Sequence, residues 1–222
     1  MILVFDLDDT LYDERTYVES GLHAVAAMGA DVYGLDAGAS FRFMVRVLDD
    51  EGRGAIFDKW LSAHGAHGKT RVQACVRVYR HHTPRLALND DAKVLLPKLT
   101  DYPLYLVTDG HKLVQHRKIE ALGIAPLFRK VFITHRYGIR HAKPSTYCFE
   151  RILEREKTGW ESLTYVGDNP AKDFVNLNRA GAHTVRVLTG VHKDSIAADG
   201  HEAKRRIAHL GELAALLPGL RT

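Results

Sequence analysis

The sequence predicts an α/β protein: a Rossmann-like parallel sheet with an all-helical domain inserted after its first strand. Three observations predict this. From Pro84 onward, short apolar runs alternate with helical stretches, which is the signature of a parallel sheet. Between Asp13 and Pro84 the periodicity is helical and no strand is evident. The predicted strands end in Asp, Thr or Gly, where functional groups of such sheets gather.

Taken in order, Met1–Phe5 reads as a buried strand. Helices follow near 15–29, 38–51, 54–64 and 69–82, separated by glycines at 34, 38, 52, 54, 65 and 68. In the second, Phe41, Met44, Val45 and Leu48 have helical spacing. Asn89 is the expected N-cap of "DDAKVLLPKL", which Pro97 should kink or shorten. "LYLVT" (strand), "KLVQHRKIEALG" (helix ending at Gly123) and "KVFIT" (strand) come next. "STYCFERILEREK" is a helix with Ser145 as N-cap, "LTYVG" a strand, and "AKDFVNLNRAG" a helix ending at Gly181. "HTVRV" and a last helix near 203–217 complete the series. The expected domains are residues 1–14 with 85–222, the α/β core, and residues 15–84, the helical insertion.

Composition narrows the function classes. The hydrophobic content of 45% is ordinary for a globular chain. Cys75 and Cys148 are far apart and outside any zinc or CxxC spacing, as expected of reduced thiols in a cytoplasmic protein. No run approaches a membrane span, and "MILVFDLDD" lacks the basic region and cleavage site of a signal peptide. The net charge is +4, but the basic residues are scattered, and the densest pieces, "RVYRHH" and "AKRRIAH", fall in helical patterns. Neither nucleic acid nor membrane is an expected partner.

The segment "VFDLDDTLYDE" puts several acids at the end of the first buried strand. Other predicted strands end in Thr108-Asp109-Gly110 and Gly167-Asp168-Asn169, with Asp173 beyond, and Lys143-Pro144 precedes a helix. Asp6, Asp8, Asp168 and Asp173 are thereby expected at one edge of the sheet. Two carboxylates ~4 Å apart repel by roughly 4 kcal/mol at an effective dielectric near 20. A hard divalent cation with oxygen ligands, such as Mg²⁺, would compensate them.

DxDxT, a Thr-Asp-Gly strand end, Lys-Pro and GDxxxxD, in that order, resemble the four motifs of the haloacid dehalogenase (HAD) superfamily. The resemblance covers residues 1–14 and about 85–217. It implies that Asp6 is the nucleophile, forming an aspartyl-phosphate. It implies that Asp8 is the general acid and then the base, with its backbone carbonyl on the metal. Thr108 and the amides of Asp109 and Gly110 would hold the phosphoryl oxygens, and Lys143 would neutralise nucleophile and phosphoryl group. Asp168 and Asp173 would complete the Mg²⁺ site with Asp6 and Asp8. Asp109 would contribute mainly its backbone. Asp9 is expected in a solvent or capping role, Thr10 as a loop-stabilising hydrogen bonder, and Asn169 and Pro170 as a helix start.

An acid at position 8 favours phosphoryl chemistry over dehalogenation, because only an oxygen leaving group needs a proton. The helical insertion resembles a C1-type cap. Its candidate substrate-facing groups are Arg46, Arg53, Lys59, His64, His81 and His82, with Arg53 first, and His111 beyond the phosphate loop is a further candidate. The expectation is a Mg²⁺-dependent phosphatase acting on a small phosphomonoester, a sugar phosphate or a nucleotide. A phosphomutase is the alternative within the superfamily. A phospho-acceptor signalling domain is the alternative outside it, but its acceptor Asp would belong at the third strand, where "KVFITH" has none. A non-catalytic binding domain fits an intact nucleophile and acid less well.

Overall fold

The computed structural model describes residues 1–217. They divide into two compact units, Met1–Glu14 with the chain from Leu86 onward, and Arg15–Arg85. The elements begin with β1 (Ile2–Phe5), followed by α1 (Glu14–Tyr33), α2 (Ala37–Glu51), α3 (Ile56–Ala63) and α4 (Lys69–His81). Then come α5 (Asp90–Leu95), β2 (Leu104–Thr108), α6 (Lys112–Leu122), β3 (Lys130–Ile133) and α7 (Tyr147–Glu156). The described chain continues with β4 (Leu163–Gly167), α8 (Val175–Ala180), β5 (His183–Val187) and β6 (Arg205–Ile207).

The first unit is an α/β Rossmann-like fold. Its strands pair in parallel in the order β3-β2-β1-β4-β5-β6. Parallel strands covered on both faces need apolar residues throughout, and β1, β2 and β4 are buried along their whole length. One face packs Val4, Tyr105, Val107 and Tyr165 against Phe149, Ile152, Phe174 and Leu177. The chain order reverses at β1, with β2 on one side and β4 on the other. Such a switch point opens a crevice at the carboxyl ends of the strands.

Local signals position several boundaries as expected. Asn89 accepts from Ala92 N at 2.8 Å and caps α5. Pro97 ends that helix early, so Leu96–Leu99 continues as a 3₁₀ turn. Gly123 and Gly181 close α6 and α8 in the left-handed conformation.

Three expectations are corrected. Ser145 is not the N-cap of α7: Thr146 occupies that position, and Ser145 Oγ accepts from Tyr147 N at 3.3 Å in a local turn. The helix expected from Ala171 starts only at Val175, because Asn169 O accepts from both Lys172 N and Asp173 N and winds the chain into a turn first. The helix expected near 203–217 is instead β6 and a 3₁₀ segment, Leu210–Leu216. The open edge of β5 outweighs the helical propensity of "AKRRIAH": Val187 pairs with Ile207, and Lys204 N donates to Thr184 Oγ1 at 2.9 Å. Arg205 and Arg206 stay exposed on the new edge, a placement that discourages further strand addition. In the segment that follows, Leu210 and Leu213 are buried three residues apart, matching three residues per turn.

The second unit is helical. Val18, Leu22 and Val25 of α1 pack with Met44 of α2, Trp60 and Leu61 of α3 and Cys75 of α4. Asp36 caps α2 through Ala39 N. Trp60 is fully buried, so Trp60→Ala would cost about 3–5 kcal/mol. No helix among the described residues is long and apolar enough to cross a membrane.

Candidate active site

Asp6 directly follows β1 and Asp168 directly follows β4. These strands are neighbours, with Phe5 opposite Val166 and Asp6 N donating to Val166 O at 2.8 Å. The pairing alone brings the two carboxylates to one place. Asp173 joins them because Asn169 N donates to its Oδ2 at 2.9 Å and folds the chain back. Oxygens of Asp6, Asp168 and Asp173 all lie within 4.8 Å of one another, and all three residues are buried. Gly167 makes room: a Cβ there would sit 2.7 Å from Asp173 Oδ2.

Lys143 reaches into the same cluster. Its Nζ is 2.9 Å from Asp6 Oδ1 and 2.9 Å from Asp173 Oδ1, and it donates to Tyr165 Oη at 2.7 Å. Burial works against its charge, but the Asp173 and Asp6 carboxylates outweigh burial and hold the ammonium protonated. Burial pushes Asp6 up above the usual carboxylate range; Lys143 opposes this and Asp173 adds to it. Asp168 is pushed up further, by burial and then by the Asp6 and Asp173 charges. Ionised together, the trio and one ammonium leave two net negative charges in a buried place. Three carboxylate oxygens within reach of one centre and a deficit of two positive charges fit a hard divalent cation.

Beside the trio, Thr108 ends β2, and α6 begins at Lys112. Gln115 Nε2 donates to Thr108 Oγ1 at 2.6 Å and to Asp8 Oδ2 at 2.8 Å. Asp8 Oδ1 accepts from Tyr12 Oη at 2.6 Å and from Lys118 Nζ at 2.7 Å. Lys118, also bound to Glu14 Oε1 at 2.8 Å, has a side chain only 2% exposed. Burial again works against the charge, and Asp8 and Glu14 outweigh it.

The Asp109 side chain does more than the expected backbone role. Its Oδ1 accepts from Thr134 Oγ1 and from Lys143 N at 3.2 Å, tying the phosphate-loop candidate to the segment that carries Lys143. Burial raises its pKa, but the Thr134 bond and the Lys172 and Lys143 charges outweigh that and leave it below the usual range. Asp9 caps rather than faces solvent: it is buried, accepting from Glu14 N at 2.9 Å and Val191 N at 3.2 Å. Gly190 is needed for this approach, since a Cβ there would meet Asp9 Cγ at 2.1 Å. Thr10 does not stabilise the loop through its hydroxyl, which is buried with no hydrogen-bond partner among the described residues. Its carbonyl does so, accepting from Asn89 Nδ2 at 3.2 Å. Asn169 shapes the turn before α8 rather than starting the helix, accepting from Ala171 N at 2.9 Å.

The α/β unit thus gathers Asp6, Asp8, Thr108, Asp109, Lys143, Asp168 and Asp173, with Gly110 and exposed His111 in the loop before α6. Arg53 belongs to the helical unit, exposed at the start of the one-turn segment Arg53–Ala55. Three other candidates there have local partners: Lys59 binds Glu51, His64 Nδ1 lies 2.8 Å from Trp60 O, and His82 Nδ1 lies 2.6 Å from Tyr79 O. The sequence reading missed Tyr12, Gln115, Lys118, Thr134 and Tyr165. A signal for two of them existed. Gln115 and Lys118 fall with Ile119 and Leu122 in one i, i+3, i+4, i+7 stripe, so polar residues interrupt what should be an apolar face.

The sequence profile described as haloacid dehalogenase-like hydrolase matches residues 1–181. The chain belongs to the haloacid dehalogenase-like hydrolase family. Among curated relatives of this hydrolase is the glyceraldehyde 3-phosphate phosphatase of Methanocaldococcus jannaschii, 28% identical over 99% of this chain and 97% of the relative. Another is the glyceraldehyde 3-phosphate phosphatase of Methanopyrus kandleri, 30% identical over 86% of this chain and 85% of the relative. Among solved structures, the HAD-hydrolase YfnB of Bacillus subtilis, described bound to magnesium, superposes with a TM-score of 0.71 at 20% identity. It covers 98% of each chain and shares the fold.

Proposed function

We propose that this hydrolase is a Mg²⁺-dependent phosphatase of small phosphomonoesters, with sugar phosphates the favoured class and glyceraldehyde 3-phosphate the first substrate to test. One observation carries the reading: three buried carboxylates and one buried lysine meet at the strand ends, with a further acid, Asp8, two residues beyond Asp6. The names of the two archaeal relatives support the substrate class. The magnesium-bound YfnB structure supports the metal.

In this reading Asp6, Asp168, Asp173 and the Asp8 carbonyl hold Mg²⁺. When bound, the cation offsets the charge of the trio and draws electron density from the phosphoryl oxygens. Thr108 and the amides of Asp109 and Gly110 hold the remaining phosphoryl oxygens, aided by the N-terminus of α6. Thr108 Oγ1 already accepts from Gln115, so its own proton is free to donate to the phosphate. An Asp6 carboxylate oxygen attacks phosphorus while the bond to the leaving oxygen breaks, and Asp8 gives that oxygen its proton. Asp8, now a carboxylate, takes a proton from water as the water attacks phosphorus. The Asp6–phosphorus bond breaks, releasing phosphate and restoring both acids. Lys143 stabilises charge on Asp6 and the transferred group throughout. Arg53 and His111 are assigned to substrate selection.

Phosphate release from triose phosphates, larger sugar phosphates and nucleoside monophosphates, with Mg²⁺ and with chelator, tests the reading. The expected result is turnover of a triose or other sugar phosphate that stops in EDTA and returns with Mg²⁺. Undiminished turnover in chelator contradicts the metal site. Transfer of phosphate between positions of a sugar, without release, makes the protein a mutase.

A further inference from the structure

Position 8 holds a carboxylate whose surroundings the four motifs do not describe. Three donors from two segments converge on it: Tyr12 and Lys118 on Oδ1, Gln115 on Oδ2. We infer that Lys118, together with Gln115, is a positioning residue for Asp8, fixing which carboxylate oxygen handles the proton and tying it to the phosphate-binding Thr108. The inference rests on the phosphatase reading above and adds two residues of α6 to it.

The geometry distinguishes the two oxygens. Oδ1 takes two donors, one an ammonium, and is fully engaged. Oδ2 takes one donor, the Gln115 amide, and keeps a lone pair for a proton in transit. The orientation of the Gln115 amide follows from its neighbours, because the reverse flip would point its carbonyl oxygen at a carboxylate. That same NH₂ group donates to Thr108 Oγ1, so one side chain sets the distance between proton donor and phosphate loop. Gln115 and Lys118 are three residues apart on one helix face, and both are buried.

Lys118 is held independently of Asp8. A second bond, to Glu14 Oε1 at 2.8 Å, also holds the ammonium, and the side chain has almost no solvent to exchange into. A lysine buried this deeply is costly to keep unless it is fully paired. It pairs with the proposed acid and with the Glu14 carboxylate. A role confined to holding the fold would not require the Asp8 side chain, which is itself one-fifth exposed, among its partners.

The test compares two esters in single-turnover phosphorylation of the enzyme: glyceraldehyde 3-phosphate, whose leaving alkoxide needs a proton, and 4-nitrophenyl phosphate, whose leaving phenolate does not. Wild type, Asp8→Asn, Lys118→Met and Gln115→Leu are measured side by side with Mg²⁺ present. The double variant Lys118→Met/Glu14→Gln is included because the single change takes a positive charge away from half-buried Glu14. Lys118→Met, or the double variant if the single one does not fold, is expected to lose at least about tenfold on the alkyl ester. That is a fraction of the range of general-acid effects. The loss on the aryl ester is expected to be under about threefold, with KM for both esters little changed. Gln115→Leu is expected to lose on both esters, more on the alkyl one, because it also touches Thr108. Equal losses on the two esters for Lys118→Met, with Asp8→Asn still selective, overturn the positioning role and leave the phosphatase reading standing. An unselective Asp8→Asn overturns the acid assignment and the inference with it. Failure of both lysine variants to fold assigns Lys118 to structure and also overturns the inference.

Discussion

Gly167→Ala tests the architecture of the carboxylate cluster without removing any of its charges. Gly167 is the last residue of β4, and its backbone conformation is one that alanine tolerates. The obstacle is space. The added Cβ would meet Asp173 Oδ2 at 2.7 Å, Asp173 Cγ at 3.1 Å and Tyr165 Cε1 at 3.2 Å. Tyr165 is fully buried and cannot give way, so the Asp173 carboxylate must retreat by several tenths of an ångström. That retreat stretches the 2.9 Å bond from Asn169 N and disturbs the 2.9 Å pairing with Lys143. Overpacking and one weakened charge-assisted bond together cost about 1–3 kcal/mol. Displacing a metal ligand or its support weakens metal affinity by about 10–100-fold. The assay is the Mg²⁺ dependence of phosphate release, with melting temperature measured on the same samples. The expected outcome is a half-activating Mg²⁺ concentration raised about tenfold or more, and kcat partly recovered at saturating Mg²⁺. A lowered melting temperature with an unchanged Mg²⁺ curve would show that Asp173 supports the fold without serving the metal.

Three further outcomes are expected. Burial and mutual repulsion raise Asp6 and Asp168, so from about pH 4 upward the unfolded chain gives up protons that the folded chain retains. The stability these groups contribute is complete below that range and is lost as pH rises through their folded values. Lys143 is raised as well, but as a base it keeps its contribution across this window. Metal-free protein should therefore melt lower at about pH 8 than at about pH 5.5, with a shallower slope in Asp168→Asn. The Mg²⁺-induced gain in melting temperature should be larger at the higher pH, because ligands must be deprotonated to bind. A gain independent of pH would contradict the metal site. Arg53→Ala should lower kcat/KM for the preferred sugar phosphate by ~10-fold while changing 4-nitrophenyl phosphate turnover much less. Equal losses would remove Arg53 from substrate selection.

The parts of this protein that were legible in its sequence are those whose signal is local. β1, β2 and β4 are short, largely apolar, buried runs, and each ends in or runs directly into an acid or hydroxyl that the chain cannot bury cheaply without a purpose. Once these strands are parallel and adjacent, Asp6 and Asp168 meet by register alone. What was not legible depends on partners distant in sequence. β6 forms because β5 offers an unpaired edge, which no property of "AKRRIAH" announces. α8 is shortened because Asn169 and Asp173 use the preceding turn to aim a carboxylate. Thr10 has a buried hydroxyl with no hydrogen-bond partner among the described residues, although turn chemistry predicts one. The grip on Asp8 joins residues 107 and 110 positions away, and only the broken apolar stripe of α6 hinted at it.

The proposed mechanism requires Asp6 to accept the phosphoryl group. The most direct measurement is acid quenching of the protein during turnover of its best substrate, followed by peptide mass spectrometry. A phosphoryl adduct is expected on the peptide carrying Asp6. The adduct should appear only with Mg²⁺, accumulate when Asp8→Asn slows its hydrolysis, and be absent in Asp6→Asn, which should keep the wild-type fold. An adduct on another residue, or steady phosphate release by Asp6→Asn within about tenfold of wild type, would contradict it.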